Sequence, residues 1–568
     1  MRHDLLILFF ILLSSALMAD EHSNEAPSFK VQGIVTDEKG EGLPGASVWV
    51  KGTVVGAGTN AKGEFSFKLS SKNRCVLRVS FTGYEPQERE VTPGVDSLYH
   101  FVLEPSNNAL NEVVITGTRT LKPLKDVPVL TRVISSEDIA QVNPLDLQSL
   151  LEYEMPGLQF GLAHGSGLPE LKFQGSAGGY VLFMIDGERV AGEGSSNNID
   201  YNLIDMDNVE RIEIVKGPMS TLYGSQAMGG VVNIITKDAN RPFTGNVSVR
   251  YGNNDESKYS LSLGTKQGRF SALTSLSYRK RDAYALKDKE GQIEYSYYKD
   301  IYGRDSVVAD TSEKGMSSVN GFEIWQANQK LSYTFNENFR ISLNGTYYNN
   351  DVLEYVEQKE QDRFSNYSIN PRVYYAINDS HILDFSYVFE NYEKRYVYTT
   401  SLPSKKVFGD LTNTVRLNYT GYIHEKHTLT AGIEVNTQKL QHYWFDNGSG
   451  KKFDAQTYVL YLQEDYKVSD SFSVLAGVRS DCHSKYGFHA SPKISLMYKY
   501  GVLTLRGGYG MGFRIPSLKE LHSEYDMGGQ GFFMIYGNED LEPEISHQGT
   551  FSAEVTKGIF NGSVSGYY

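Results

Sequence analysis

The sequence predicts an all-β dominated fold in which a transmembrane antiparallel β-barrel forms the larger part of the chain. Three observations support this prediction. From about residue 243 onward, apolar and polar residues alternate in about fifteen segments of roughly strand length. Short turns and long polar loops alternate between these segments. The 39 tyrosines and 54 glycines, with only 17 prolines, suit extended strands better than a disordered chain.

The N-terminal residues predict a signal peptide over residues 1–19. Arg2 supplies a weak positive start, nine apolar residues follow in "LLILFFILL", and Ala16 and Ala19 are small residues suited to a cleavage site. A membrane anchor is the alternative, but nine residues fall well short of the ~20 that span a bilayer. No apolar run of 18 or more residues follows, so helices do not explain any membrane crossing by this chain.

Charge, cysteine usage and missing motifs argue against several function classes. The net charge of −13, from 55 basic and 68 acidic residues, argues against a nucleic-acid partner, which needs a basic surface. The two cysteines, Cys75 and Cys482, fall in different predicted domains and are expected to be unpaired thiols. The sequence holds no ATP-binding motif and no nucleophile–base or metal-ligand pattern. We therefore predict that the protein is not an enzyme and uses no cofactor.

Residues 29–104 predict a small β-sandwich. "VQGIVTDEKGEGLPGASVWVKGT" alternates apolar and polar residues and breaks at Gly40 and at Pro44-Gly45, and "GEFSFKL" and "RCVLRVSFTGY" alternate likewise. The order of these turns and glycines, from Gly33 through "LPGA" and "KGT" to Phe65, resembles the carboxypeptidase-regulatory-like domain. The resemblance implies a non-catalytic module of the kind that precedes outer-membrane receptors of Bacteroidetes type.

The segment "LNEVVITGTR", residues 110–119, is a short β-prone stretch in a polar linker. An exposed strand of this kind can add to the sheet edge of a partner through backbone hydrogen bonds. The segment resembles the TonB box that outer-membrane transporters offer to the energising protein TonB. The resemblance implies that TonB is a partner and that the box comprises Glu112, Val113, Val114, Ile115 and Thr116. A linker strand without this role is the alternative.

Residues 120–238 predict an α+β domain. The stretch that begins at "SSED" has a Ser-x-x-Asp cap pattern and predicts short helices. "YVLFMIDGERV" predicts a buried strand, a turn at Asp186-Gly187 and a second strand. "NVERIEIVKGP" predicts a half-buried strand with Ile212 and Ile214 on the face opposite Glu213.

The stretch "NVERIEIVKGPMSTLYGSQAMGGVVNIITK" closes this domain. Its glycines permit tight turns, and a phosphate-binding loop is excluded because no Gly-Lys-Ser/Thr follows. Together with "MIDGERV" it resembles the plug of TonB-dependent receptors. The resemblance implies a plug domain inside a barrel of 22 strands. With about 15 strands present, we expect the barrel of residues 243–568 to be C-terminally truncated.

The barrel prediction rests on faces that alternate along each segment. In "RISLNGTYYNN", Ile341 and Leu343 share one face, whereas Ser342 and Asn344 share the other. The long loops are expected in "KRDAYALKDKEGQIEYSYYKD" and "DVLEYVEQKEQDRFS". A large soluble array of β-sandwiches is the alternative architecture.

The segment "GFRIPSLKELHSEYDMGGQGFFMIYGNEDLEPE" is the most informative for a ligand. "FRIP" followed by "NEDL" resembles two boxes of haem receptors, and related boxes occur in ferric-siderophore receptors. The resemblance implies that His522, between the boxes, and His164, on a plug loop, would be axial ligands of haem iron. Arg514 of "FRIP" is a further candidate ligand-binding residue. Two solvated loop histidines are the alternative.

The resemblance as a whole implies TonB-dependent active transport of a scarce iron chelate, haem or a ferric siderophore, across the outer membrane of a Gram-negative cell. The barrel would contact outer-membrane lipids, and the N-terminal sandwich would lie in the periplasm. A receptor for cobalamin or another nutrient is one alternative. A surface protein that binds or adheres without transport is an alternative of another class.

Overall fold

The computed structural model describes most of the chain from Phe29 onward. The described residues are 29–51, 53, 55–60, 62–69, 74–81, 84, 86–92, 98–104, 113–155, 158–162, 169–173, 176–192, 199–285, 294–299, 305–310, 318–354, 360–398, 402–424, 426–526, 533–557 and 560–568. The predicted signal peptide, residues 1–19, lies outside them.

Among the described residues of 29–104, seven strands form the predicted β-sandwich. They are β1 Phe29–Asp37, β2 Ser47–Val50, β3 Gly56–Gly58, β4 Glu64–Leu69, β5 Cys75–Ser80, β6 Gln87–Val91 and β7 Tyr99–Leu103. One sheet has the order β4-β1-β7 and the other the order β3-β2-β5-β6. Their alternating apolar residues, such as Val31, Phe67, Leu77 and Phe101, are buried between the sheets.

The plug contains ten short strands and three helices among the described residues. The strands are β8 Val113–Val114, β9 Lys122–Pro123, β10 Thr131–Ile134, β11 Leu158–Leu162, β12 Pro169–Phe173, β13 Ser176–Ala177, β14 Val181–Ile185, β15 Glu188–Arg189, β16 Val209–Lys216 and β17 Gly230–Thr236. The helices are α1 Ser136–Val142, α2 Leu147–Glu154 and α3 Ser220–Tyr223, and 3-10 turns cover Leu124–Asp126, Gly178–Tyr180, Tyr201–Leu203 and Met206–Asn208.

The central sheet of the plug has the order β10-β16-β17-β14-β15, with β14 parallel to β17. Helix α1 begins with a capping box between Ser135 and Asp138, as the Ser-x-x-Asp pattern predicts. Gly230 has φ of 151°, and a Cβ there would lie 2.5 Å from the Val215 carbonyl oxygen, so the close approach of β16 and β17 requires glycine. The α+β plug predicted from the sequence is thus present.

The remaining strands include the wall sheet and short hairpins within its loops. They are β18 Thr244–Tyr251, β19 Ser257–Gln267, β20 Phe270–Arg281, β21 Tyr284–Ala285, β22 Glu294–Lys299, β23 Asp305–Asp310, β24 Ser318–Val319, β25 Gly321–Asn336, β26 Phe339–Leu353, β27 Glu360–Asn378, β28 His381–Tyr398, β29 Lys405–His424, β30 His427–His442, β31 Lys452–Lys467, β32 Phe472–His483, β33 Gly487–Tyr500, β34 Leu503–Arg514, β35 Glu524–Asp526, β36 Met534–Tyr536, β37 Glu544–Lys557 and β38 Phe560–Tyr567, with helix α4 Leu518–His522 and a 3-10 turn Asp446–Gly448.

Fifteen of these strands form one antiparallel sheet, the wall, in the order β18-β19-β20-β25-β26-β27-β28-β29-β30-β31-β32-β33-β34-β37-β38. The count agrees with the number of segments read from the sequence. Within the described part of the chain, β18 and β38 are the edges of this sheet.

The two faces of the wall differ as the period of two predicts. On β31, Tyr458, Leu460 and Leu462 are about half exposed on the outer face, at 54%, 59% and 47%. Tyr461 and Gln463, which alternate with them, are buried against the plug at 1% and 3%. The outer face is therefore suited to lipid and the inner face to polar contacts.

The two ends of the wall differ in the length of their connections. At one end, the short-turn end, two to four residues join successive strands, as at 268–269, 337–338 and 468–471. At the other, the loop end, the longest connections cover 282–320 and 515–543. The second predicted long loop is wrong, because β26 runs to Leu353 and β27 begins at Glu360, which leaves 354–359 between them.

The wall curves around the plug, since strands far apart in the sheet contact plug residues. Side chains that do so include Lys258 on β19, Tyr348 on β26, Arg416 on β29, Arg479 on β32 and Arg506 on β34. The sandwich lies at the short-turn end, where Arg78 approaches Asp126 of the plug at 3.8 Å and Asp126 also bonds Lys499 at 2.5 Å. None of the described helices is long and apolar enough to cross a membrane.

Candidate functional site

The described part of the predicted TonB box, Val113–Thr116, is seated on the plug near the short-turn end. We call it the box segment. Its strand β8 pairs antiparallel with β9. Val114 and Thr116 are fully buried, so the segment differs from the exposed strand that the sequence predicts. Glu112, the first residue of the predicted box, lies outside the described residues.

The Glu213 carboxylate on β16 holds the box segment in place. Its Oε2 atom accepts the N–H groups of Ile115 at 2.9 Å and Thr116 at 2.8 Å, and the Thr116 hydroxyl at 2.7 Å. Its Oε1 atom accepts a hydrogen bond from Arg211 Nε at 2.9 Å and lies 2.8 Å from Arg211 Nη2. Because Glu213 is 0% exposed, these donors replace the hydration that the carboxylate loses on burial.

The burial of Glu213 corrects the half-buried strand predicted for β16. Alternation places Glu213 on the face opposite Ile212 and Ile214, and that face is expected to meet solvent. All three side chains are in fact buried. The physical reason is that the box segment covers the second face of β16 and supplies donors there.

Asn233 on β17 links the box segment to the turn between β14 and β15. Its Nδ2 atom donates to Thr116 Oγ1 at 2.9 Å, and its Oδ1 atom accepts the Gly187 N–H at 3.1 Å. The Tyr223 hydroxyl also donates to the Thr116 carbonyl oxygen at 2.9 Å. Burial raises the pKa of Tyr223 to about 12, so this phenol keeps its proton and remains a donor.

A network of charged side chains joins the plug to strands β29, β30 and β32. Arg416 donates to Glu188 of the plug at 3.0 and 3.1 Å and to Glu434 at 2.7 Å. Arg479 approaches Glu434 at 3.4 Å and donates to the Leu222 carbonyl oxygen of the plug at 3.2 Å. These side chains are largely buried, so removal of one partner would leave another charge uncompensated.

A second set of contacts joins the plug to the first strands of the wall. Lys258 on β19 lies 2.8 Å from Asp205 and 2.9 Å from Asp207. Burial alone would raise the pKa of Asp207, but the Lys258 ammonium outweighs it and the pKa is lowered. Tyr348 on β26 donates to Asp200 at 2.7 Å, and burial raises the pKa of that carboxyl.

At the loop end, helix α4 sets the positions of two candidate ligand residues. Its capping box pairs Ser517 with Glu520. Glu520 accepts two bonds from Arg514, at 3.0 and 3.1 Å, and Glu544 also accepts from Arg514, at 2.5 Å. The His522 Nδ1 atom lies 2.9 Å from Glu539 Oε1, so the histidine of this helix has a carboxylate partner.

Lysines and aromatic rings on α4 and around it form what we call the loop-end cluster. Its members are Lys394, Tyr443, Trp444, Lys451, Phe453, Lys519, His522 and Tyr525. The Lys519 ammonium lies 3.7 Å from the centre of the Trp444 ring, and the His522 ring stacks on Phe453 at 3.8 Å between ring centres. The cluster therefore combines positive charge with flat apolar surfaces.

Family models match three successive parts of the chain. Residues 31–115 match the CarboxypepD_reg-like domain, residues 123–231 the TonB-dependent receptor plug domain, and residues 291–568 the TonB-dependent receptor-like β-barrel. The matches follow the observed order of sandwich, plug and wall.

The chain belongs to the TonB-dependent receptors.

Relatives of this receptor include bacterial outer-membrane proteins. It is 26% identical to the "Iron-regulated outer membrane virulence protein" of Vibrio cholerae over 459 residues, which cover 76% of this chain and 64% of that protein. It is 25% identical to the "Vitamin B12 transporter BtuB" of Vibrio vulnificus over 451 residues, which cover 78% of this chain and 68% of that protein. The receptor is an outer-membrane protein, and it spans about two thirds of the length of these relatives.

Solved structures with the same fold include siderophore receptors, by their descriptions. A mutant of the ferric enterobactin receptor PfeA of Pseudomonas aeruginosa superimposes with a TM-score of 0.64 at 20% identity, covering 77% of this chain and 70% of that one. The siderophore receptor PirA of Acinetobacter baumannii gives a TM-score of 0.61 at 18% identity, with coverages of 77% and 69%. At these identities the likeness establishes the fold of the receptor.

Two of the three candidate ligand residues are described in the structure of the receptor. Arg514 and His522 lie close together, because Arg514 is bonded to Glu520 of the helix that carries His522. His164 lies outside the described residues, so the pairing of His164 with His522 stays a prediction. In the described parts of the chain, no group of three or more His, Cys, Asp or Glu residues is arranged to hold a metal ion.

Sequence reasoning missed Glu213 and Asn233, two plug residues whose side chains bond the Thr116 hydroxyl. Both lie in the stretch that resembles the plug, and both are polar residues within apolar strand segments, "RIEIV" and "VVNII". A polar side chain flanked by residues expected in a core signals a buried hydrogen-bonded site. That signal was present, but the sequence does not tell which segment supplies the partners.

Proposed function

We propose that this receptor imports a ferric siderophore across the outer membrane and that TonB supplies the energy. The observation that supports the proposal is the order of three parts between the two ends of the wall. The box segment lies near the short-turn end, where Lys122 of the strand paired with β8 bonds Asp465 near the end of β31. The plug contacts the wall between the two ends, and the loop-end cluster lies at the far end. A ligand bound at the loop end and a partner bound at the short-turn end would thus act on one plug.

Energy coupling is proposed through the box segment. The outer membrane has no ATP supply, and in the family TonB pulls on the box. The bonds from Glu213 and Asn233 to Thr116 would transfer that pull to β16 and β17, which are central strands of the plug sheet. Thr116 would have to leave these partners before the box could add to a strand of TonB.

The loop-end cluster favours an anionic aromatic chelate as the ligand. Lys519 over Trp444 and Lys451 over Phe453 place ammonium groups beside aromatic faces, at 3.7 and 5.1 Å from the ring centres. Positive charge attracts the anionic iron complex, and flat rings stack on its aromatic groups. The descriptions of the structural relatives as siderophore receptors point in the same direction.

Haem is the second candidate, favoured by His522. If the Nδ1–H group donates to Glu539, the tautomer leaves Nε2 with a free electron pair, which is the arrangement found in metal-binding histidines. His164 would supply the other axial ligand. Cobalamin is the third candidate, because a vitamin B12 transporter is among the relatives.

Growth on single nutrient sources tests the proposal. A strain that lacks the gene is compared with the complemented strain on ferric enterobactin, haemin or, in a cobalamin-requiring background, cyanocobalamin. The proposal expects growth on ferric enterobactin only with the gene and only with intact tonB. Gene-dependent growth on haemin or cyanocobalamin alone would replace the siderophore with that ligand. Surface binding without gene-dependent growth on any source would favour the non-transporting class.

A further inference from the structure

A small cavity lies between the plug and the wall strands β33, β34 and β37. Its volume is about 20 Å³, which leaves room for one particle of about the size of a water molecule. The wall side of the cavity is a regular grid, because the three strands are in register. Ser495 and Thr550 flank Gly508 from either side, and Arg506 pairs with Ser552.

Gly508 leaves the space in the middle of this grid. A Cβ atom at this position would lie 3.0 Å from Thr550 Oγ1 and 3.3 Å from Ser495 Oγ. A side chain here would therefore occupy the space between the two hydroxyl groups. Ser552 Oγ is buried and has no hydrogen-bond partner among the described residues. The cavity thus has hydroxyl donors on its wall side, and at least one of them lacks a protein acceptor.

Positive charge collects around the same cavity. Lys216 at the end of β16, Lys493 on β33 and Arg506 on β34 line it, and no acidic residue is among the described residues that do so. Arg506 is compensated from outside the cavity, because its Nη1 atom donates to Glu554 at 2.7 Å. Two ammonium groups, one from the plug and one from the wall, remain to be compensated.

Neither of these two lysines faces a carboxylate within the described residues. Lys493 is 7% exposed, and the only partner of its Nζ atom there is the Met219 sulfur at 2.9 Å. A thioether is a weak acceptor and carries no charge. Burial and the nearby Arg132 guanidinium lower the pKa of Lys216, and no carboxylate counteracts them. Both ammonium groups therefore lack a counter-charge.

Other lysines between the plug and the wall are paired with carboxylates. Lys258 lies 2.8 Å from Asp205. Lys499, six residues from Lys493 on the same strand and hence on the same face, lies 2.5 Å from Asp126. A buried charge without compensation costs several kcal/mol in general, so native structures pair such charges. The cavity beside Lys493 is the place where its counter-charge would fit.

From this geometry we propose that the cavity binds a small inorganic anion of the halide class, held between Lys216 of the plug and Lys493 of the wall. The hydroxyl groups of Ser495, Thr550 and Ser552 would donate to it. A chloride ion is only slightly larger than a water molecule, whereas phosphate is too large for this space. The bound ion would join the plug to the wall, and this role does not depend on which nutrient the receptor imports.

Chloride binding is measured by the broadening of the chlorine NMR signal with the purified full-length receptor in detergent. Gluconate replaces chloride, so that the ionic strength stays constant. The expected result is excess broadening that saturates with chloride and is reduced when bromide competes. Crystals of the receptor grown from sodium bromide give the position of the ion by anomalous scattering, and the peak should contact the ammonium groups of Lys216 and Lys493.

Three variants connect the binding to this cavity. Lys493→Met removes one charge-assisted hydrogen bond and should weaken chloride binding by about 10- to 150-fold. Gly508→Ala fills the space, leaves every charge in place and should abolish binding. Lys499→Met is the matched control, because this lysine has a carboxylate partner on the same strand face, and it should bind chloride as the natural receptor does. Heat-modifiable migration on gels checks that each variant is folded.

Several results would overturn the proposed site. These are the absence of excess broadening, a bromide peak that does not contact Lys493, and a carboxylate found beside Lys493 in the crystals. Unchanged binding in folded Lys493→Met or Gly508→Ala would have the same meaning. Half-saturation above the physiological ionic strength of roughly 0.15 M would show an adventitious ion only, and it too would overturn the proposal.

Discussion

Replacement of Glu213 by glutamine should release the box segment without ligand. The carboxylate accepts three hydrogen bonds from Ile115 and Thr116 through one oxygen. The glutamine amide keeps the shape but has no charge, and its NH₂ group either faces these donors or faces Arg211. The substitution therefore weakens the hydrogen bonds that hold the box segment on the plug, and it leaves the backbone of the plug unchanged.

The loss of free energy that holds the box segment on the plug follows from the change from charged to neutral hydrogen bonds. A bond to a charged group contributes about 1.5–3 kcal/mol and a neutral bond about 0.5–1.5 kcal/mol, so each bond loses about 1 kcal/mol. Because the three bonds share one oxygen, they do not add fully, and we expect a total loss of about 2–3 kcal/mol. This loss shifts the equilibrium from seated to released box by about 30- to 150-fold.

The assay is the affinity of the purified TonB C-terminal fragment for ligand-free receptor. If TonB binds only the released box, the apparent dissociation constant falls by up to the same factor. Glu154→Gln is the matched control, because Glu154 is a plug carboxylate bonded to Arg132 at 2.7 Å and does not contact the box segment. An unchanged affinity in Glu213→Gln, with normal heat-modifiable migration on gels, would refute the idea that Glu213 restrains the box.

Three further predictions concern coupling, ligand and pH. Val114→Pro removes a backbone N–H and restricts the box strand, so uptake should fail while surface binding of the ligand survives; uptake at the normal rate would show that the box lies elsewhere. If haem is the ligand, His164→Ala and His522→Ala should each weaken haemin binding followed by Soret absorbance, and unchanged titrations in both would exclude haem. Lys258 lowers the pKa of Asp207, so their bond stabilises the folded state above the usual Asp value of ~3.9 and is lost as pH falls through the lowered pKa. The temperature of heat-modification should accordingly fall less on acidification in Asp207→Asn than in the natural receptor.

The regular parts of the fold could be predicted because local patterns decide them. Alternation along β31 gives the outer face, since every second residue must meet either lipid or the plug. The capping box at Ser135 likewise decides where α1 begins. These features depend on residues that are close in sequence, so they can be predicted from one sequence alone.

The candidate site could be predicted only in part, because its contacts join distant segments. Thr116 and Glu213 are 97 residues apart, and Asn233 is 117 residues from Thr116. Alternation gives the face on which Glu213 lies but not what covers that face. The long loop predicted for "DVLEYVEQKEQDRFS" was wrong for the same reason. Hydrogen bonds between strands extend β26 and β27 into this polar stretch, which shows no alternation of apolar and polar residues.

The sandwich lies close to the plug and therefore limits the space at the short-turn end of the wall. From Leu103, where β7 ends, to Val113, where β8 begins, the chain has ten steps, which cannot exceed about 36 Å. A folded unit of this size has a radius of gyration of about 11 Å. The linker that joins the sandwich to the plug is thus not much longer than the diameter of the sandwich. A partner that binds the box segment must therefore fit beside the sandwich at the short-turn end of the wall. Because the linker is short, the effective concentration of the sandwich at that end is in the millimolar range.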